Sequence, residues 1–238
     1  MNDHLSFQRL TAGTTILALI CYLSSILPLL AIMNYSFSAE AFSGAMISTG
    51  SRGANLLRWG MIFDVFGSYL LLAPLALHLW NWLKPRNPNH VTLYTLCGLA
   101  YILIGSMGAI VLSAVLPPLI KDYAQASVLR RDMLQVVFNG FLNAVFLGLW
   151  NPLEVFLLSI WLFGLGPLIQ QERRALGIIT RLLGLSALID SIGRFLDMGT
   201  IFFIGSSGLF LLVPVWLIGW AIDLSRKPAQ IDRASQTG

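Results

Sequence analysis

Long apolar runs, separated by short polar turns, govern what this chain can fold into. The runs lie at 10–33, 56–83, 91–116, 150–170, 175–195 and 201–224. Each meets or exceeds the about 20 apolar residues that a helix needs to cross a hydrocarbon core of roughly 30 Å. They predict an all-α polytopic transmembrane bundle of six spans, forming one membrane domain over residues 1–238.

Composition supports this. Hydrophobic residues make up 56% of the chain and charged residues 11%, with a mean hydropathy of +0.75. Soluble globular domains carry roughly 25% charged residues, so an ordinary soluble domain is excluded. A net charge of +4 and a pI near 9.3 would suggest nucleic acid for a soluble protein. Here the basic residues fall between apolar runs, which ties them to orientation in a bilayer, so the expected partner is lipid and not nucleic acid. Cys21 and Cys97 lie inside apolar runs, outside any Cys-x-x-Cys or Cys/His cluster. They read as small buried hydrophobes, and no metal or cofactor is expected. Ala39-Glu40-Ala41 has the form of a signal-peptide cleavage site. The apolar stretch before it exceeds the about 7–15 residues of a signal h-region, so 10–33 reads as a first span.

The middle of the chain is the hardest to parse. Pro117-Pro118 is expected to stop the third span, and Lys84 to His90, with two prolines, to form a basic turn. Lys121, Asp122, Arg130, Arg131 and Asp132 give 120–149 the character of an interfacial or partly inserted helix. The apolar run from Leu134 to Gln170 is longer than one crossing, and Asn151-Pro152 interrupts it. A reversal within two residues is too tight for packed helices, so the fourth span is placed at 150–170, with a seventh span at 134–150 left open. Residues 225–238 read as a polar tail.

Charge bias sets the expected orientation. Arg9, Lys84, Arg86, Arg173, Arg174, Arg226, Lys227 and Arg233 share one side, against Arg52, Lys121, Arg130 and Arg131 on the other. The excess favours both termini in the cytoplasm of a cell-membrane protein. Trp59 and Trp150 at outer span ends, and Trp80, Trp82 and Trp220 at inner ends, match the interfacial preference of indole rings.

Ionisable groups inside spans are costly and mark candidate sites. They are Asp64 in the second span, Glu154 in the fourth, and Asp190 and Arg194 in the fifth. By helical rise, Asp64 lies about 12 Å and Asp190 about 10 Å from the outer end, so an outward-facing polar pocket is geometrically permitted. Ser186, Asp190, Arg194 and Asp197 form one stripe, with Asp190 and Arg194 spaced for an ion pair. Arg194 is also the partner expected for Asp64. Arg58 lies near the outer end of the second span, where snorkelling to the headgroups competes with a ligand role.

Catalytic patterns are sparse. Gly205-Ser206-Ser207-Gly208 matches a short pattern of intramembrane serine proteases, but no histidine follows it. Helix packing accounts for such small residues, as it does for Gly105, Ala109 and Ser113. No metalloprotease, P-loop or dinucleotide fingerprint is present.

The run Leu57-Arg58-Trp59-Gly60-Met61-Ile62-Phe63-Asp64, with Gly148-Leu149-Trp150, Leu176-Gly177, Gly184-Leu185 and Asp190-Ser191, resembles the bacterial membrane proteins of the domain of unknown function 4386 family. The resemblance implies a six-helix fold and a bacterial inner membrane, and it implies no activity. The charged Gln171-Glu172-Arg173-Arg174 linker and the Asn151-Pro152 break depart from the family's pattern.

Three functional readings follow. The first is a non-enzymatic protein whose outward-facing charged pocket binds or passes a small solute or ion, using Asp64, Asp190, Arg194 and Glu154. The second is a structural subunit that binds a membrane-protein partner or a second copy, its charges registering the helices. The third is an intramembrane hydrolase using Ser207. Against transport, the chain lacks a clear internal repeat.

Overall fold

A computed structural model describes residues 2–33, 44 and 46–226. Six helices, each long and apolar enough to cross a membrane, make up the described chain. They are α1 (Asn2–Met33), α2 (Gly50–Leu83), α3 (Pro88–Gln125), α4 (Val128–Gln170), α5 (Arg174–Phe195) and α6 (Gly199–Ser225). Among the described residues there is no strand. Ala39-Glu40-Ala41, half of the expected loop at 34–55 and the tail beyond Arg226, with Lys227 and Arg233, lie outside the described residues.

Short turns make sequential helices antiparallel neighbours. Each helix packs on the next in sequence, and α6 returns to α1, closing a ring. The turns have local causes. Pro88 starts α3, where its missing N–H is not needed. Asp197 ends α5 in the left-handed region (φ 53°). Its N–H donates to Arg194 O at 3.2 Å, and that of Met198 to Gly193 O at 2.7 Å. These two bonds are a Schellman closure.

Two proline sites expected to break helices do not. α3 runs through Pro117-Pro118 to Gln125, and α4 runs unbroken through Asn151-Pro152. The stretch at 120–149 is therefore shared between the end of α3 and the first half of α4. The ends of these two long helices pack on each other, burying Leu116, Pro117, Ile120, Phe138 and Leu142. That packing holds the helix where proline removes backbone bonds. At Pro152 the chain adopts a π-helical segment, Ala144–Glu154. Its wider i→i+5 turn accommodates the ring.

A second π segment, Val65–Tyr69, follows Asp64 directly and passes into a short 3-10 turn, Leu70–Leu72, before Pro74. In both π segments a neighbouring helix takes up a backbone carbonyl. The Tyr101 hydroxyl donates to Ser68 O at 2.9 Å, and the Ser191 hydroxyl to Pro152 O at 2.9 Å.

Aromatic rings fill the interior. Tyr69 stacks near Tyr101 (5.3 Å between centroids), Tyr101 near Trp161 (6.3 Å) and Trp161 near Trp216 (6.3 Å). Trp150, Trp216 and Trp220 are buried in the bundle. The Trp150 indole N–H donates to Gly105 O at 3.2 Å. Glycine is what admits these rings, because a Cβ at Gly98, Gly105 or Gly108 would collide with Trp161, Tyr69 or Trp150 respectively. The small residues of α3 thus receive aromatic side chains as well as a neighbouring helix.

Candidate functional site

Two carboxyl groups, each from a different helix, lie within electrostatic reach of the Glu154 carboxyl of α4. Glu154 interacts with both Asp64 of α2 and Asp190 of α5. Glu154 and Asp190 are only 4% and 3% exposed, and Asp64 is half-buried. The π segments position two of them: Asp64 immediately precedes one, and Glu154 ends the other. The Tyr69 hydroxyl, at the end of the first π segment, donates to the Glu154 carboxyl at the end of the second.

Each aspartate has a hydroxyl partner. Ser68 donates to Asp64 Oδ1 at 2.5 Å, within one helix. Ser206 of α6 donates to Asp190 Oδ2 at 2.9 Å, across the helix interface. The second oxygen of Asp190, Oδ1, is buried with no hydrogen-bond partner. That contact depends on Gly205, where a Cβ would run into the backbone of Asp190. The Gly205-Ser206-Ser207-Gly208 motif therefore brings α6 against Asp190, and Ser206, not Ser207, makes the bond.

The expected Asp190–Arg194 ion pair does not form. The salt bridges among the described residues join Arg86 to Glu172 and Arg173 to Asp223. Arg194 instead lies over the Phe202 ring, 3.1 Å from its centroid, with its Nε buried and unpartnered. The reason is the i,i+4 stagger: the Asp190 carboxyl is drawn to Ser206 while Arg194 reaches the next turn of α6. Nor does Arg194 pair with Asp64. The partners of Asp64 are Ser68 and, electrostatically, Tyr22, Tyr69, Tyr101 and Glu154. Arg58 is exposed and stands apart from the carboxyl groups.

Tyr22, Tyr69 and Tyr101 are candidate-site residues, electrostatic neighbours of Asp64, that sequence reasoning missed. A signal was available, since all three sit inside spans although tyrosine favours the membrane interface. Further along the interior, Trp161 Nε1, Thr95 Oγ1 and Trp220 Nε1 are buried without hydrogen-bond partners.

Basic residues concentrate elsewhere. Arg173, in the turn between α4 and α5, pairs with Asp223 and lies over Trp82 (4.6 Å) and Trp220 (5.8 Å). Burial there pulls its guanidinium below the ordinary arginine value. Among the described residues no group of His, Cys, Asp and Glu has a metal-binding arrangement.

No protein-family model, curated protein or solved structure matches this chain. The fold is that of a multi-pass membrane protein, an all-α bundle of six apolar helices with carboxyl groups buried inside it.

Proposed function

We propose that the protein binds or passes a small cationic species, a proton or a small solute cation, at the carboxyl cluster of Asp64, Glu154 and Asp190. One observation carries this reading: three carboxyl groups share the interior and, among the described residues, no lysine or arginine forms a salt bridge with any of them, Arg194 acting on Asp190 only through space. Carboxylates in a low-dielectric interior are strongly disfavoured unless protonated or neutralised by a cation. Interior groups of this kind mark proton relays and ion pathways in membrane proteins. The unpartnered polar atoms of Trp161, Thr95 and Trp220 extend polar character along the interior and support passage over binding alone. Arg194, once placed beside these acids, has only a peripheral part.

The test is cation and proton uptake by proteoliposomes holding the purified chain, compared with Asp64→Asn and Glu154→Gln. Flux that disappears in variants with an unchanged melting profile supports the reading. Flux equal to that of empty vesicles, or untouched by both substitutions, sinks it.

The second reading is a partner-binding subunit. The first turns of α4 favour it, because Val128, Leu129, Met133 and Val136 are 66–77% exposed. A stoichiometric co-purifying membrane protein that protects these side chains would support it. The hydrolase reading requires Ser207 and a base, and His78 and His90 lie toward the turn between α2 and α3, away from α6 Ser207. A protein-dependent hydrolysis lost in Ser207→Ala is its test. Kinship with the domain of unknown function 4386 family is proposed on the Leu57–Asp64 run, and it adds no activity.

A further inference from the structure

A groove of about 490 Å³ lies between α2 and α3, lined mostly by exposed residues. Arg58 of α2 lines it, with Ser113, Ala114, Pro117, Pro118 and Lys121 of α3. No acidic side chain lines it, and neither Arg58 nor Lys121 makes a salt bridge among the described residues. Side chains on a helix tilt toward its N-terminus. Because α2 and α3 are antiparallel, Arg58 and Lys121 lean toward each other across the groove.

The backbone adds acceptors to these two cations. Proline has no N–H, so the Ala114 carbonyl loses its donors at both i+3 and i+4, Pro117 and Pro118. The Ser113 carbonyl loses its i+4 donor to Pro117. The groove thus offers two positive charges to an anion and bare carbonyls to a hydrogen-bond donor. Its depth is also informative. Helical rise puts Arg58 about 37 Å from Leu83, beyond a hydrocarbon core of roughly 30 Å. With Trp80 and Trp82 near one interface, the groove reaches headgroup level at the other.

We propose that this groove binds the headgroup of an anionic glycerophospholipid of the phosphatidylglycerol type. The phosphate engages Arg58 and Lys121, and the headgroup hydroxyls donate to the carbonyls of Ser113 and Ala114. Inorganic phosphate would satisfy the cations alone, and a choline headgroup brings phosphate without a donor. The site is separate from the carboxyl cluster and independent of the function proposed for it.

The test uses the purified full chain in micelles, with bound lipid counted by native mass spectrometry during titration with phosphatidylglycerol or phosphatidylcholine. Phosphatidylglycerol is expected to bind in preference. Arg58→Gln and Lys121→Gln, singly, should each weaken it about fivefold, the worth of one basic residue near a membrane surface. Lys84→Gln, at the other end of the bundle, should leave it unchanged, and all three should melt like the parent in phosphatidylcholine. Equal binding of the two lipids overturns the proposal, as does full retention in the two groove variants or an equal loss in Lys84→Gln. Displacement of the lipid by inorganic phosphate would identify a free-phosphate site instead and would also overturn it.

Discussion

The Ser206 hydroxyl donates to one carboxyl oxygen of Asp190 at 2.9 Å, while the other oxygen of Asp190 is buried with no partner. This single bond links α5 to α6 at a point where the two backbones are as close as glycine permits. Ser206→Ala removes it and leaves a carboxyl group with two unsatisfied oxygens. The expected loss is about 1–3 kcal/mol, read as a lower melting temperature in detergent. A variant that melts with the parent would mean the bond contributes nothing.

Asp190 and Arg194 should couple only modestly, through space and not through a salt bridge. They form no salt bridge, with Asp190 on Ser206 and Arg194 on the Phe202 ring. In a double-mutant cycle of Asp190→Asn and Arg194→Gln, the interaction should be about 1 kcal/mol, the scale of a screened pair. A coupling of several kcal/mol, with recovery in the double variant, would mean the two charges are paired after all.

Gly205→Ala should destabilise the bundle, because the added methyl group meets the Asp190 backbone and not a movable side chain. Overpacking of this kind costs about 1–3 kcal/mol. Gly199→Ala, on the same helix with open space around it, is the matched control and should be tolerated. Comparable melting of the two variants would contradict the close approach of α5 and α6.

Asp197→Gly should stabilise the protein. Asp197 has a positive φ at the end of α5, a conformation that glycine adopts without steric cost. A gain of up to about 1 kcal/mol is expected, less the extra backbone entropy that glycine brings to the unfolded chain. A lower melting temperature would show that the Asp197 carboxylate has a role beyond the turn.

Coupling between Arg173 and Asp223 should be measurable but modest. Their side chains are 33% and 22% exposed, so solvent screens the pair. Arg173→Gln and Asp223→Asn in a double-mutant cycle should show about 1 kcal/mol of interaction. Additive effects would leave the packing of Arg173 on Trp82 and Trp220 as the main contribution of that side chain.

How far the site was legible can be judged from particular residues. Asp64, Glu154, Asp190 and Arg194 stand out in the sequence because charge inside an apolar run is conspicuous. Their partners do not. Ser206 is one of several small residues in a motif that also reads as plain packing, and Tyr69 is marked only by lying inside a span, where tyrosine is unusual. The prolines misled in two places for a common reason. Proline removes a backbone bond wherever it occurs, but helix–helix packing at Pro117-Pro118 and a π turn at Pro152 keep the chain helical.

By itself the sequence determined the class of protein and the number of helices. Both follow from the length of apolar runs, which is a local property that a bilayer reads residue by residue. Only the tertiary structure decided that Glu154 interacts with both Asp64 and Asp190, that Ser206 takes the place expected for Arg194, and that Arg58 shares a groove with Lys121. Those outcomes depend on how each helix is rotated and which helix lies beside it. Faces built from leucine, alanine and glycine pack in many rotations, and the close approaches at Gly105 and Gly205 that select one of them exist only once the ring has closed.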